Sequence, residues 1–128
     1  MKKQNEPASA DHAEKLYVDI DGLVNKLGGN NKQVLRCLEI FKTDAPASMH
    51  VIKTGLKSQE VKEAKNSCHG LRGMLLTMEM KKAASTAMLL ETLIIEKKFE
   101  IAIQLIPLFE NEIGVSVDLI ETSLTVQK

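Results

Sequence analysis

Aromatic residues make up only 3% of this 128-residue sequence, with three Phe, one Tyr and no Trp. A protein that stacks nucleic-acid bases needs aromatic platforms and a basic stripe, and neither is present. An excess of one charge is lacking too. Lys plus Arg and Asp plus Glu both total 17, and the pI is near 6.8. No apolar run approaches the roughly 18 to 20 residues that cross a bilayer. Met1-Lys2-Lys3 leads into polar Gln4-Asn5-Glu6-Pro7, which is not a signal-peptide core. Cysteine is scarce: Cys37 and Cys68 sit in helical patterns without metal-type spacing. Two buried reduced thiols in a cytosolic protein is the plain reading.

What is abundant is Leu, Ile, Ala, Met, Lys and Glu, side chains that lose little freedom in a helix. The length suits one domain, expected over residues 16–126 behind a loose polar tail over 1–15. Asp19 can cap a short helix that Gly28-Gly29 terminates in a left-handed turn. Asn30, with Gln33 three residues on, opens the next helix. There Val34, Leu38, Phe41, Ala45, Met49, Ile52 and Leu56 recur at helical spacing. Pro46 lies in that run and predicts a kinked helix or two abutting ones. Ser58 is expected to cap a helix starting near Gln59, a further helix to run from about Met80 to Lys97, and a last one from about Phe99 to Leu124. The last should bury Ile106, Phe109, Ile113, Val117, Ile120 and Leu124. Four amphipathic segments with short connections predict an all-α, antiparallel up-down four-helix bundle with a short N-terminal helix packed on it.

Chemistry concentrates in Cys68-His69-Gly70-Leu71-Arg72-Gly73. Val61, Ala64, Cys68, Leu71, Leu75 and Met78 take one side of this helix. At about 100° per residue, His69 falls just outside that row, flanked by Lys65, Arg72, Leu76 and Gly73. A glycine inside a helix costs on the order of 1 kcal/mol relative to alanine. One turn after His69, Gly73 would let a partner surface approach the ring. A lone exposed histidine is ordinarily just a solvated side chain. The glycine and the basic neighbours weaken that plain reading without reversing it. Glu91 is an independent signal, because it falls among Met80, Ala83, Ala84, Ala87, Met88, Leu90, Ile94 and Ile95, the expected apolar face of its helix. A carboxylate there needs a partner. His69 and Glu91 lie about equally far from the expected turn near Thr77 to Met80, so they can oppose one another. Glu91 then either pairs with a lysine at the surface or accepts the Nδ1–H of His69, which leaves Nε2 nucleophilic.

At these residues the chain resembles the histidine phosphotransfer (HPt) family, from about Val18 to Leu124. Leu27-Gly28-Gly29, Phe41 and Asp44-Ala45-Pro46 look like the family's turn, central aromatic and proline break. The motif His-x-Leu-Lys-Gly-Ser reads His69-Gly70-Leu71-Arg72-Gly73-Met74, and Glu91 stands twenty-two positions after His69, where the family often places Gln or Glu. Arg72 replaces a lysine, Met74 a small residue, and Thr77-Met78-Glu79-Met80 lacks the glycine of the family's Asn-Leu-Gly-Ala. The resemblance implies a phosphoryl carrier rather than an enzyme. His69 would be the phosphoacceptor between receiver aspartates, Glu91 its orienting partner, and Arg72 and Lys65 the electrostatic support. Gly73, Leu76 and the short first helix would form the docking surface. The partners would be receiver domains of a hybrid histidine kinase or a response regulator, with no nucleic acid and no membrane. The chain would need no cofactor of its own, with Mg²⁺ only on the receiver, and is expected to be a cytoplasmic monomer. One rival is a degenerate bundle that binds receivers without carrying phosphate. A metal-binding bundle is rejected, because none of His12, His50 and His69 has Glu three residues before it.

Overall fold

The computed structural model describes residues 14–125. Residues 14 and 15, expected in the tail, belong to a helical turn over 14–17. The rest of that tail, His12 included, and residue 126 lie outside the described residues. Five longer helices follow: α1 (Ile20–Lys26), α2 (Asn31–Ser58), α3 (Val61–Thr77), α4 (Lys81–Ile95) and α5 (Phe99–Thr125). Contacts run α2 to α3, α3 to α4, α4 to α5 and α5 back to α2, with α1 on α2. The protein is an all-α bundle, and no described helix is long and apolar enough to cross a membrane.

The same hydrogen-bonded turn ends each of the first four helices. Gly28 closes α1 at φ 83°, with Gly28 N–H on the Asn25 carbonyl and Gly29 N–H on that of Val24. Gln59, Glu79 and Lys97 close α2, α3 and α4 at φ 59°, 57° and 60°. In each, the left-handed residue donates to the carbonyl three back, and its successor donates to the carbonyl five back. Glu60 N–H to Gly55 O at 2.8 Å is one such bond. Glu79 thus takes the conformation that glycine would supply in the family's Asn-Leu-Gly-Ala. Lys26 holds it there: its Nζ lies 2.7 Å from Glu79 Oε2 and donates to the carbonyls of Leu76 and Thr77. The short α1 therefore caps the end of α3, the helix that carries His69.

Asp19 caps α1 by accepting from Gly22 N–H, and Asn30 caps α2 by accepting from Lys32 and Gln33 N–H. Ser58 does not cap α3. It is the last residue of α2 and donates back to the Thr54 carbonyl, and Glu60 precedes α3 without a side-chain cap. Pro46 does not divide α2, because it faces solvent, where water can serve the freed carbonyl. Gly55 is needed for close approach, since a Cβ there would lie 2.9 Å from the Ala64 Cβ.

Leu38, Ile52, Leu56, Leu71, Leu75, Leu90, Ile94, Phe109 and Ile120 are fully buried. Two expected core faces are corrected. On α4 the buried arc is centred near Ala87, reaches Leu93 on one flank and stops near Glu91 on the other. Met88 and Ile95 are left exposed beyond that edge. On α5, Glu112 and Ser116 are buried, whereas Ile113 and Val117 are half-buried because they line a groove of about 470 Å³ between α2 and α5.

A non-glycine residue in the left-handed region is strained, so Gln59→Gly and Lys97→Gly should each stabilise the fold by about 0.5–1 kcal/mol. Glu79→Gly should gain less, because it loses the Lys26 ion pair. Urea denaturation measures this; a destabilised Gln59→Gly protein would contradict the account.

Candidate functional site

The α3–α4 hairpin builds the site. Cys68 is fully buried on α3, and its Sγ–H donates to the Ala87 carbonyl of α4 at 3.3 Å. That bond belongs to the register in which the next residue, His69, faces Glu91. The His69 Nδ1 lies 3.2 Å from Glu91 Oε2 and 3.5 Å from Oε1. The imidazole side chain is 67% exposed, while the Glu91 side chain is 17% exposed. The carboxylate thus sits under the ring at the edge of the core, and the ring projects from it. If the shared proton resides on Nδ1, Nε2 keeps its lone pair.

Arg72, one turn on from His69, approaches the same carboxylate, with Nη1 3.9 Å from Oε1 and its side chain 29% exposed. Lys65, one turn before, is half-buried and has no ion pair among the described residues. Gly73 is exposed and Leu76 is 48% exposed. A Cβ added at Gly70 or Gly73 would meet nothing within 4 Å, so internal packing does not require these glycines. Their bare backbone instead opens a groove of about 550 Å³ between α2 and α3, lined also by Cys37, Ile40, Asp44 and Met74. Of the residues singled out in the sequence, His69, Glu91 and Arg72 meet through one carboxylate. Gly73 lies in the adjoining groove; on α3, Leu76 is exposed and Lys65 half-buried.

The contributions of four residues escaped the sequence reading. Ile40 and Cys37 line the groove from α2; Cys37 is half-buried rather than buried as expected, because it borders this opening, and exposed Ile40 falls outside that helix's apolar row. Lys26 caps α3 from fifty positions away, a distance no local pattern spans. The Cys68 thiol secures the hairpin, although the sequence marked it only as a core residue.

An exposed imidazole backed by a half-buried carboxylate, on a helical bundle with an open groove beside it, is an arrangement that offers a held ring to another macromolecule. The family model for the Hpt domain matches residues 36–119, from α2 into α5 and across both His69 and Glu91. The chain belongs to the Hpt domain family, the histidine phosphotransfer domains of two-component phosphorelays. These domains are phosphocarriers that work with receiver domains. Neither a curated protein nor a solved structure matches the chain.

Burial pushes the Cys68 thiol from 9.0 up to about 12, with the Glu91 carboxylate adding to the rise and Arg72 opposing it. Between these values the unfolded chain releases a proton that the folded chain keeps. Stability carried by Cys68 is therefore present below pH 9.0 and lost as pH rises toward about 12. The wild type should lose stability more steeply than Cys68→Ala across this window, by up to about 1.4 kcal/mol per pH unit. Parallel pH profiles in chemical denaturation would contradict this placement of the thiol.

Proposed function

We propose that the protein carries a phosphoryl group on His69 between receiver-domain aspartates in a two-component phosphorelay. The observation that carries the reading is the 3.2 Å contact from His69 Nδ1 to the half-buried Glu91 carboxylate, made while the ring stays exposed. A carboxylate accepting the Nδ1–H selects the tautomer whose Nε2 is unprotonated. Nε2 then forms the N–P bond in line as the receiver's aspartyl O–P bond breaks, and the electron pair leaves on the aspartate oxygen. The ring keeps its Nδ1 proton, becomes cationic and is balanced by Glu91. Transfer to a second receiver reverses these steps.

Arg72 and Lys65 supply positive charge on the same flank as the ring. The receiver's own Mg²⁺ would neutralise charge on the phosphoryl group from the other side. Gly73, Gly70, Ile40 and Leu76 form the surface on which the receiver packs, and the missing side chains allow its backbone close to the ring. We place the protein in the cytoplasm, acting as a monomer with a hybrid kinase receiver or a response regulator.

Incubation with a radiolabelled phosphoryl-receiver domain tests this. The wild type and His50→Gln should gain acid-labile phosphate. His69→Gln should gain none, with its melting nearly unchanged because the ring lies outside the core. Gly73→Gln should be stabilised by up to roughly 1 kcal/mol yet take phosphate more slowly, because its side chain obstructs approach. Labelling of His69→Gln would overturn the site. A wild type that binds receivers but takes no phosphate would establish the scaffold alternative.

A further inference from the structure

Two cationic groups lie one turn either side of His69, and they are not equivalent. Lys65 has no ion pair among the described residues, whereas Arg72 Nη1 lies 3.9 Å from Glu91 Oε1. The same carboxylate offers its other oxygen to His69 Nδ1 at 3.2 Å. One half-buried Glu91 is therefore shared between the ring and the guanidinium.

That sharing matters because the two partners of the ring conflict electrostatically. Glu91 favours a ring that becomes cationic when Nε2 is phosphorylated. The arriving phosphoryl group is itself anionic, and a carboxylate withdrawn from water is poorly screened. A negative charge that helps the imidazole therefore also repels the group the imidazole must accept. A guanidinium beside the carboxylate reduces the repulsion while leaving the other oxygen on Nδ1. The same opposition is felt on the core side, where the Glu91 carboxylate raises the Cys68 thiol and Arg72 lowers it.

We propose that Arg72 is a positioning residue that acts through Glu91, offsetting its charge toward the incoming phosphoryl group while Lys65 remains unpaired to face that group. This rests on the reading of His69 as phosphoacceptor. It differs from a direct contact between Arg72 and phosphate, which would not depend on the charge of Glu91.

A double-mutant cycle with Arg72→Gln and Glu91→Gln separates the two roles. Glu91→Gln keeps an oxygen that can accept the Nδ1–H but removes the charge. Potassium phosphoramidate serves as phosphoryl donor: Nε2 forms the N–P bond as the donor's P–N bond breaks and ammonia leaves. The readouts are the rate of His69 phosphorylation and the lifetime of the phosphohistidine. Circular dichroism melting checks that each variant is folded. With Glu91 present, Arg72→Gln should slow phosphorylation about two- to fivefold. In the Glu91→Gln background the same substitution should change the rate less than about twofold, and the lifetimes should show the same coupling. Equal effects in both backgrounds would overturn the proposal, as would faster phosphorylation of Arg72→Gln. A wild type that takes no phosphate on His69 would instead overturn the phosphoacceptor reading, and this proposal with it.

Discussion

Everything proposed for the site depends on the register between α3 and α4. The Cys68 thiol bonds the Ala87 carbonyl in the core, and the adjacent His69 meets Glu91 at the edge of that core. A helix slipped by one residue against its partner would turn each side chain by about 100°. The imidazole and carboxylate would then part, and Cys68 would leave its buried bond. The tight turn at Glu79, with Lys26 capping the end of α3, limits such slippage from one end. The short α1 thereby connects to the chemistry without touching the ring.

The bundle separates its stabilising core from the proposed site by face. Large aliphatic residues fill the interior, and the His69 flank of α3 carries two glycines that no internal contact requires. Each glycine weakens its helix by roughly 1 kcal/mol relative to alanine. A surface kept bare at that cost suits a partner that must bring a reacting group close to a ring. The α2–α5 side is built differently: its groove is crossed by the Lys53–Glu110 ion pair, and an exposed Pro46 lies along one wall.

Helical periodicity made the bundle legible, because apolar steps of three and four survive whatever the neighbouring helix contributes. Gly28-Gly29 marked the end of α1, since glycine advertises a left-handed turn. The ends of α2, α3 and α4 carry no such mark: Gln59, Glu79 and Lys97 take the same conformation with side chains that disfavour it. Met88 and Ile95 were placed in the core because spacing alone does not show how far a buried arc extends. Glu91 was legible as a carboxylate among apolar neighbours, and equal distance from the turn matched it to His69. Its second partner, Arg72, could not be read this way, because a long guanidinium can turn toward several neighbours.

The central claim is that Glu91 holds the proton of His69 on Nδ1 and leaves Nε2 as the nucleophile. Nitrogen-15 NMR of the imidazole in the unphosphorylated protein, at a pH where the ring is neutral, tests it directly. The account predicts that His69 is predominantly the Nδ1–H tautomer, unlike the exposed His50 in the same sample, and that Glu91→Ala removes this preference. A His69 that is predominantly protonated on Nε2, or whose tautomers are unaffected by Glu91→Ala, would contradict it.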